Sequence, residues 1–265
     1  MNGCQTDSSI YLFAVDDKST QQYYPAHTVL NPQYILPKEK IIVKKKGSAL
    51  MVVYADVDIE HDDEFNAWYN EEHIPERMSA PGFLDSARYQ AVKGGPRYLA
   101  VYELESAETL QSAQYKQMSQ NPTEWTKRMS PNIIGRGTVR NICTQIYPSE
   151  TDPDTTGRGM APALQVGRME VPVNIEEKYN DYYDNYRTPR NLTVPGCLAV
   201  RRYHVVDGAP KYLTMYEFEH EKVPDSLIWE RYRTEDTMHD YIGGHYSHPP
   251  GSPGVYRRIF PDRAF

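Results

Sequence analysis

The sequence predicts an α+β fold in which two βαββαβ modules close into one antiparallel barrel with a pseudo-two-fold axis. Three observations carry this reading. The first is repetition at a fixed offset of 114 residues. Pro81-Gly82-Phe83-Leu84 returns as Pro195-Gly196-Cys197-Leu198, Arg88-Tyr89 as Arg202-Tyr203, and Tyr102-Glu103 as Tyr216-Glu217. Between Pro81 and Glu103, 12 of 23 aligned positions are identical without a gap. The second is the order of elements within each copy, which matches the ferredoxin-like split βαβ motif. The third is a physical demand: a lone βαββαβ sheet carries helices on one face and leaves the other bare. Two copies cover those faces by closing on each other, which also removes exposed strand edges.

The elements of the first copy follow from local pattern. The β-branched, apolar run 49–58 (ALMVVYADVD) has strand length. Asp62-Asp63-Glu64 supplies an acidic helix start, and Phe65, Trp68, Tyr69 and Glu72-His73 follow at helical spacing, with Pro75 near the expected end. Pro81-Gly82 is a turn into a second strand, 83–92, and Gly94-Gly95-Pro96 a turn into a third, 97–104. A second helix is expected over 106–118 and a closing strand over 136–147. The second copy repeats the order, with strands over 163–171, 198–206, 211–219 and 255–260 and helices over 175–187 and 224–235. We therefore divide the chain into an N-terminal arm (1–46), module 1 (47–148), a polar Pro/Gly linker (149–161) and module 2 (162–265). The arm belongs to neither repeat. Its Tyr23, Tyr24, Tyr34 and Leu36 favour docking over disorder.

Composition narrows the function classes. Formal net charge is −7, and no block of like charge exceeds Lys44-Lys45-Lys46, so no nucleic-acid partner is expected. No apolar run approaches membrane length and no signal-type apolar region opens the chain, which reads as soluble and cytoplasmic. The cysteines Cys4, Cys143 and Cys197 fit no metal-ligand spacing and need no disulfide. The sequence lacks a P-loop, a G-x-S-x-G elbow and a Rossmann glycine fingerprint. Twenty-two tyrosines against 6 phenylalanines suit either half-buried strand surface or a pocket for a flat, oxygenated ligand.

The stretch Phe65-Asn66-Ala67-Trp68-Tyr69-Asn70-Glu71-Glu72-His73-Ile74-Pro75, followed by Pro81-Gly82-Phe83 and Arg88-Tyr89, resembles the dimeric α+β barrel superfamily. Its nearest flavour is the EthD-like group, with a helix ending W-Y-x-x-x-H-x-P before a P-G-F strand. The resemblance spans residues 48–148, more weakly 162–261, and implies the barrel. Relatives of this architecture include cofactor-free cyclases, isomerases and monooxygenases as well as haem enzymes, so the fold leaves the reaction open. The resemblance also implies an acid/base role for His73.

The residues themselves add to this. His73 follows Tyr69 by four and Phe65 by eight, on one stripe of the helix. A histidine near a helix C-terminus is expected to be held protonated by the dipole, and could move protons near neutral pH; a packing role is the alternative. The second copy carries Arg187 at the matching place, which could bind an anionic group. Tyr69 and the corresponding Tyr183 would line the substrate space. On the first strands, Tyr54 and Asp56 share one phase, as do Arg168 and Glu170. That phase should point into the barrel, where Arg168 would pair with Asp56 or Glu170, unless all lie at a wet rim. Arg88 and Arg202 recur in both copies and read as architectural. His239, His245 and His248 lie in a loop-like stretch whose spacings match no tight metal site.

The expectation is a cofactor-independent enzyme, a lyase or decarboxylase, isomerase or cyclase, using acid/base chemistry on a small aromatic or polyketide-like compound. No cofactor and no metal are expected. His73 and Arg187 would be catalytic, with Tyr54, Asp56, Tyr69, Arg168, Glu170 and Tyr183 contacting substrate. An oxygenase or haem-dependent redox enzyme, and a non-catalytic small-molecule binder, are the alternatives. The expected partner is a small molecule, and a homodimer is open.

Overall fold

The computed structural model describes residues 47–151 and 159–262. The N-terminal arm expected over 1–46 lies outside them. Eight strands close a barrel in the order β1-β3-β2-β8-β5-β7-β6-β4, every neighbouring pair antiparallel. The strands are β1 (Ala49–Val57), β2 (Phe83–Lys93), β3 (Tyr98–Leu104), β4 (Gly135–Tyr147), β5 (Ala163–Met169), β6 (Cys197–Asp207), β7 (Tyr212–Phe218) and β8 (Gly254–Phe260). Each half contributes four strands in the same order, β4-β1-β3-β2 and β8-β5-β7-β6. The halves join edge to edge through β2 with β8 and β4 with β6. Closure therefore leaves no free strand edge in the barrel.

Alternation along the strands sorts side chains between two layers. Leu50, Val52 and Tyr54 of β1 meet Tyr89, Leu99, Val101, Leu164, Val166, Tyr203, Leu213 and Tyr256 inside the barrel. The other phase, Met51, Val53 and Ala55, faces outward and packs under Phe65, Trp68 and Tyr69. The expected phase of Tyr54 and Asp56 is thus correct, but the barrel interior is a packed core. At one end it takes in Met160 and Ala161, the end of the expected linker; Tyr89 Oη donates to the Ala161 carbonyl at 2.9 Å.

The helices cover the outer face. In the first half they are α1 (Asp62–Trp68), a π-helical turn (Tyr69–His73), α2 (Ile74–Met78), α3 (Ala113–Gln120), α4 (Glu124–Met129) and α5 (Pro131–Ile134). The second half has α6 (Glu176–Tyr182), a π turn (Tyr183–Arg187), α7 (Thr188–Leu192), α8 (Leu227–Thr234) and α9 (Met238–Ile242). The sequence predicts one helix ending near Pro75. Instead the chain keeps helical dihedrals through His73, and Pro75 falls in the first turn of α2, where a missing N–H is tolerated. The Ile74 N–H reaches back five residues to the Tyr69 carbonyl, as Thr188 does to Tyr183. Helices α4, α5 and α9 were not anticipated. They are only four to six residues long, too short for a periodic signal. Helix α4 is capped by Thr123, whose hydroxyl accepts the Thr126 N–H at 3.0 Å.

One buried arginine per half ties sheet to helix. Arg88 on β2 lies 4.4 Å from the Tyr69 ring centroid and donates to Asn66 Oδ1 (2.7 Å) and Asn70 Oδ1 (2.9 Å). Arg202 on β6 does the same with the Tyr183 ring (4.5 Å), Asn180 Oδ1 (2.7 Å) and the Asp184 carboxylate. The recurrence of these arginines is thus architectural. Replacing Arg88 with Met keeps most of the packing volume but leaves two amide oxygens without their donor. Urea denaturation should show a loss of about 2 kcal/mol, and an unchanged midpoint would remove the latch from this account.

Candidate functional site

The sequence-derived candidates separate into two places. His73 and Tyr69 line a cavity of about 450 Å³ between the outer sheet face and the helices of the first half. Met51 and Val53 of β1 form its floor, Tyr115 of α3 and Thr126 of α4 its side, and Arg77, Thr138 and Arg140 its polar rim. Tyr54, Asp56 and Arg168 lie inside the barrel or at its mouth instead, because their strand phase points the other way.

His73 sits where the π turn hands over to α2. Its ring packs against Trp68 (centroids 4.5 Å apart) and edge-on to Tyr69 (5.1 Å). Glu72 fixes this arrangement from behind by accepting from Trp68 Nε1 (3.2 Å), Thr123 Oγ1 (2.5 Å) and Thr126 Oγ1 (3.1 Å). That ties α4 to the π turn. The Nδ1 atom of His73 is buried without a hydrogen-bond partner.

The expected protonated histidine is a correction. The helix does not end at residue 73, so no terminal dipole favours the cation. Burial, with the Arg77 and Arg88 guanidinium groups, holds the imidazole neutral and pulls its pKa down to about 3. Tyr69 is pushed the other way, to about 12, by burial, and keeps its hydroxyl proton.

Arg187 does not reach this cavity. It occupies the matching turn of the second half, where its Nη1 lies 3.5 Å from Asp236 Oδ2 and 3.9 Å from Met238 Sδ. The guanidinium also lies 5.1 Å from the Tyr183 ring centroid. Helix α9 supplies Met238 and Ile242 to the cluster around Tyr179, Tyr182 and Tyr183, with Tyr246 packed against it. An arginine already paired with a carboxylate and packed among aromatics is structural, and the expected His73–Arg187 catalytic pair is not formed. Tyr183 is likewise a buried packing residue and stacking partner of Arg202.

The expected inward ion pair of Arg168 is also absent among the described residues. Asp56 Oδ1 accepts the Arg97 N–H at 2.6 Å and Glu170 Oε2 accepts the Lys211 N–H at 3.1 Å, so each carboxylate pins the following hairpin of its own half. Tyr54 is wholly buried under the Arg168 guanidinium, 4.6 Å away, and cannot touch a ligand in the His73 cavity. Of the three late histidines, His239 stacks on Tyr246, and His248 Nδ1 lies 2.8 Å from the Arg168 carbonyl. No group of three metal-binding side chains occurs among the described residues.

Sequence reasoning missed Arg77, Arg140 and Thr126. Arg77 carries a legible signal: it follows His73 by four and so shares its helical face. Arg140 lies opposite Val53 in the β1–β4 ladder, which is a matter of register that spacing along the chain does not disclose.

Comparison with known proteins adds the fold. Residues 49–140, less than half of the chain, match the family model described as Domain of unknown function (DUF4286). No curated protein matches. Among solved structures, the chain is similar to an anthrone oxidase-like protein at 13% identity and a TM-score of 0.52, over 83% of this chain and 94% of that one. It is also similar to a provisionally named chlorite dismutase, TA0507, at 12% identity and a TM-score of 0.50, over 80% and 95%. A chlorite dismutase from Candidatus Nitrospira defluvii aligns at 10% identity, TM-score 0.48, over 82% and 93%. What these likenesses share with the chain is the fold, a closed antiparallel α+β barrel. None of these names describes a lyase or isomerase, so the expected reaction class finds no support there.

Haem belongs to one of the alternatives weighed from the sequence, and the cavity can be tested for it. Its wall carries one histidine. An axial histidine ordinarily has its second ring nitrogen hydrogen-bonded, which sets ring orientation and tautomer. The buried Nδ1 of His73 has no such partner, and the ring is packed on Trp68. The residues do not fit a haem.

The neutral state of His73 has a consequence for stability. Its pKa is lower folded than unfolded, so the unfolded chain binds the extra proton. The contribution is complete above the ordinary histidine range near 6.5 and is lost as pH falls toward about 3. Comparing His73→Gln with the parent chain should show a shallower loss of stability between pH 6 and 4, with ring-proton NMR of the parent showing no His73 titration above pH 5.

Proposed function

We propose that the outer-face cavity of the first half binds a small aromatic or enolisable compound and that His73 accepts its acidic proton. The observation that carries this reading is a neutral imidazole with an unpartnered buried nitrogen on the wall of a cavity whose rim is cationic. The volume, about 450 Å³, lies within the range of small-molecule pockets, roughly 300–1,000 Å³. Met51, Val53, Tyr69 and Tyr115 suit a flat apolar body, and Arg77 and Arg140, which meet Glu76 (3.3 Å) and Asp207 (3.2 Å) through one nitrogen each, keep further donors for an oxygen that becomes negative.

The low basicity of His73 belongs to the cavity without an anion. Burial and two arginines disfavour the imidazolium. When the ligand loses a proton to the ring, the electron pair stays on the ligand as a phenolate or enolate in the cavity that Arg77, one of those two arginines, lines. The new negative charge offsets their field and stabilises the imidazolium, so base strength rises as the proton moves. Tyr69, fully protonated, remains a hydrogen-bond donor to that oxyanion. Glu72 and Trp68 hold the ring in place.

Such deprotonation is the shared first step of isomerisation, cyclisation and cofactor-free oxygenation. The anthrone oxidase-like neighbour supports keeping oxidation among the outcomes to be measured. The W-Y-x-x-x-H-x-P motif of the first half supports the EthD-like relation, and the identities that recur at an offset of 114 support a tandem origin for the halves. A small molecule as partner is part of this reading.

The test is solvent deuterium exchange into a panel of aromatic β-diketones and phenolic ketones, followed by NMR with an oxygen electrode in parallel. Exchange should be catalysed, and His73→Ala should lower its kcat about 100-fold with little change in KM. Equal rates in the variant would remove His73 from the role. Oxygen uptake coupled to exchange would identify the oxidising branch.

A further inference from the structure

The barrel mouth holds a second cavity, about 820 Å³, that shares no lining residue with the His73 cavity. Its walls are the β2–β3 hairpin (Gly94, Gly95, Pro96, Arg97), β4 at Gly137 and Val139, and the 249–251 loop. Asp56 and Arg168 reach it from β1 and β5, strands on opposite sides of the barrel.

Arg168 differs from the other deeply buried arginines. Arg88 is satisfied by two asparagines, Arg201 pairs with Glu217, and Arg202 pairs with Asp184. Arg168 is only 4% exposed, yet it makes no ion pair among the described residues. Of five guanidinium donors, one bond is made, to the Pro250 carbonyl at 3.3 Å. One face of the guanidinium rests on the Tyr54 ring, 4.6 Å away. The two nearby carboxylates of its strand level are committed to hairpin N–H groups, as described. A buried cation without counter-charge is costly unless something in the adjacent space compensates it.

The surroundings are built to hold this arrangement. Gly95 N–H donates to the Gly251 carbonyl at 3.1 Å, closing the hairpin on the loop. Gly94 has φ +68°, and a Cβ there would come within 2.5 Å of the same carbonyl, so this contact requires glycine. Ser252 Oγ accepts the Arg168 N–H at 2.8 Å, and His248 Nδ1 meets the Arg168 carbonyl. The strand end that carries the guanidinium is thereby fixed.

We propose that the barrel mouth is a binding site for a small organic carboxylate, paired through its oxygens to the Arg168 guanidinium. The planar fork of arginine matches a carboxylate bidentately. The apolar body of the ligand would lie against Ala91, Pro96, Val139 and Pro249. Asp56, at the exposed edge, opposes anions and sets a limit on affinity.

The proposal is tested on the full chain by titrating benzoate, in a buffer free of other carboxylates, while following amide NMR signals. Saturable shifts should appear at Gly94, Gly95 and Gly251. Arg168→Gln should weaken that binding by about tenfold or more, and Asp56→Asn, which keeps an acceptor for Arg97, should tighten it. Shifts confined to the surroundings of Trp68 and His73 would overturn the proposal while leaving the His73 reading intact. Equal affinity in Arg168→Gln, binding of benzylamine as tight as benzoate, or no shift at the three glycines would also overturn it. Should Arg168→Gln not fold, an unchanged affinity in Asp56→Asn would count against it.

Discussion

Everything in this molecule depends on the closure of two half-sheets onto each other. A four-stranded βαββαβ sheet has one face under helices and one face with nothing to cover it. Burial of apolar side chains is the dominant favourable term in folding, so the bare faces must meet. Their meeting through β2 with β8 and β4 with β6 has a cost for function, because the interior fills with Leu, Val and Tyr side chains. Space for a ligand is found where closure is incomplete or irrelevant, including the mouth of the barrel and the gap between the sheet's outer face and the helices. The two cavities occupy those places.

Polar groups obey the same constraint. Arg88 and Arg202 enter buried ground because asparagine oxygens, a carboxylate and tyrosine faces receive them. Each latch also seats the π turn that follows α1 or α6, since Tyr69 and Tyr183 are both the stacking partner of the arginine and the first residue of the turn. The latch therefore connects sheet packing to the placement of residue 73 or 187. A π turn is uncommon and shifts the register of side chains beyond it.

Most of the fold was legible in the sequence because strand alternation and turn chemistry are local signals. The run ALMVVYADV reads correctly as β1 and its two phases were assigned to the correct layers. What could not be read was the reach of polar side chains across elements. Arg168 was expected to pair with Asp56 or Glu170 unless they lay at a wet rim; both carboxylates are exposed, and each has a nearer partner in a hairpin N–H of its own half, a preference set by turn geometry. The protonation state of His73 was misjudged for a related reason. Pro75 signals a helix end in a linear reading, yet at the second position of a new helical segment it permits continuation. Burial and Arg88, distant in sequence, then decide the charge.

The halves share strand order and latch but differ in what fills the outer face. In the first half, the Glu72 network ties α4 to the π turn, with Thr123 and Thr126 bonded to one carboxylate oxygen, and space remains beside His73. In the second half, the matching positions are Tyr186 and Arg187. Without Glu72 there is no equivalent strut; Asp236 draws Arg187 and Arg190 together, and Met238 closes over them. A histidine at position 187 would lose the charge that engages Asp236. An arginine at position 73 would place a third cation beside Arg77 and Arg88. The residue at each place is thus fitted to its own half: arginine where the outer layer is welded shut, and a neutral imidazole where it is kept open.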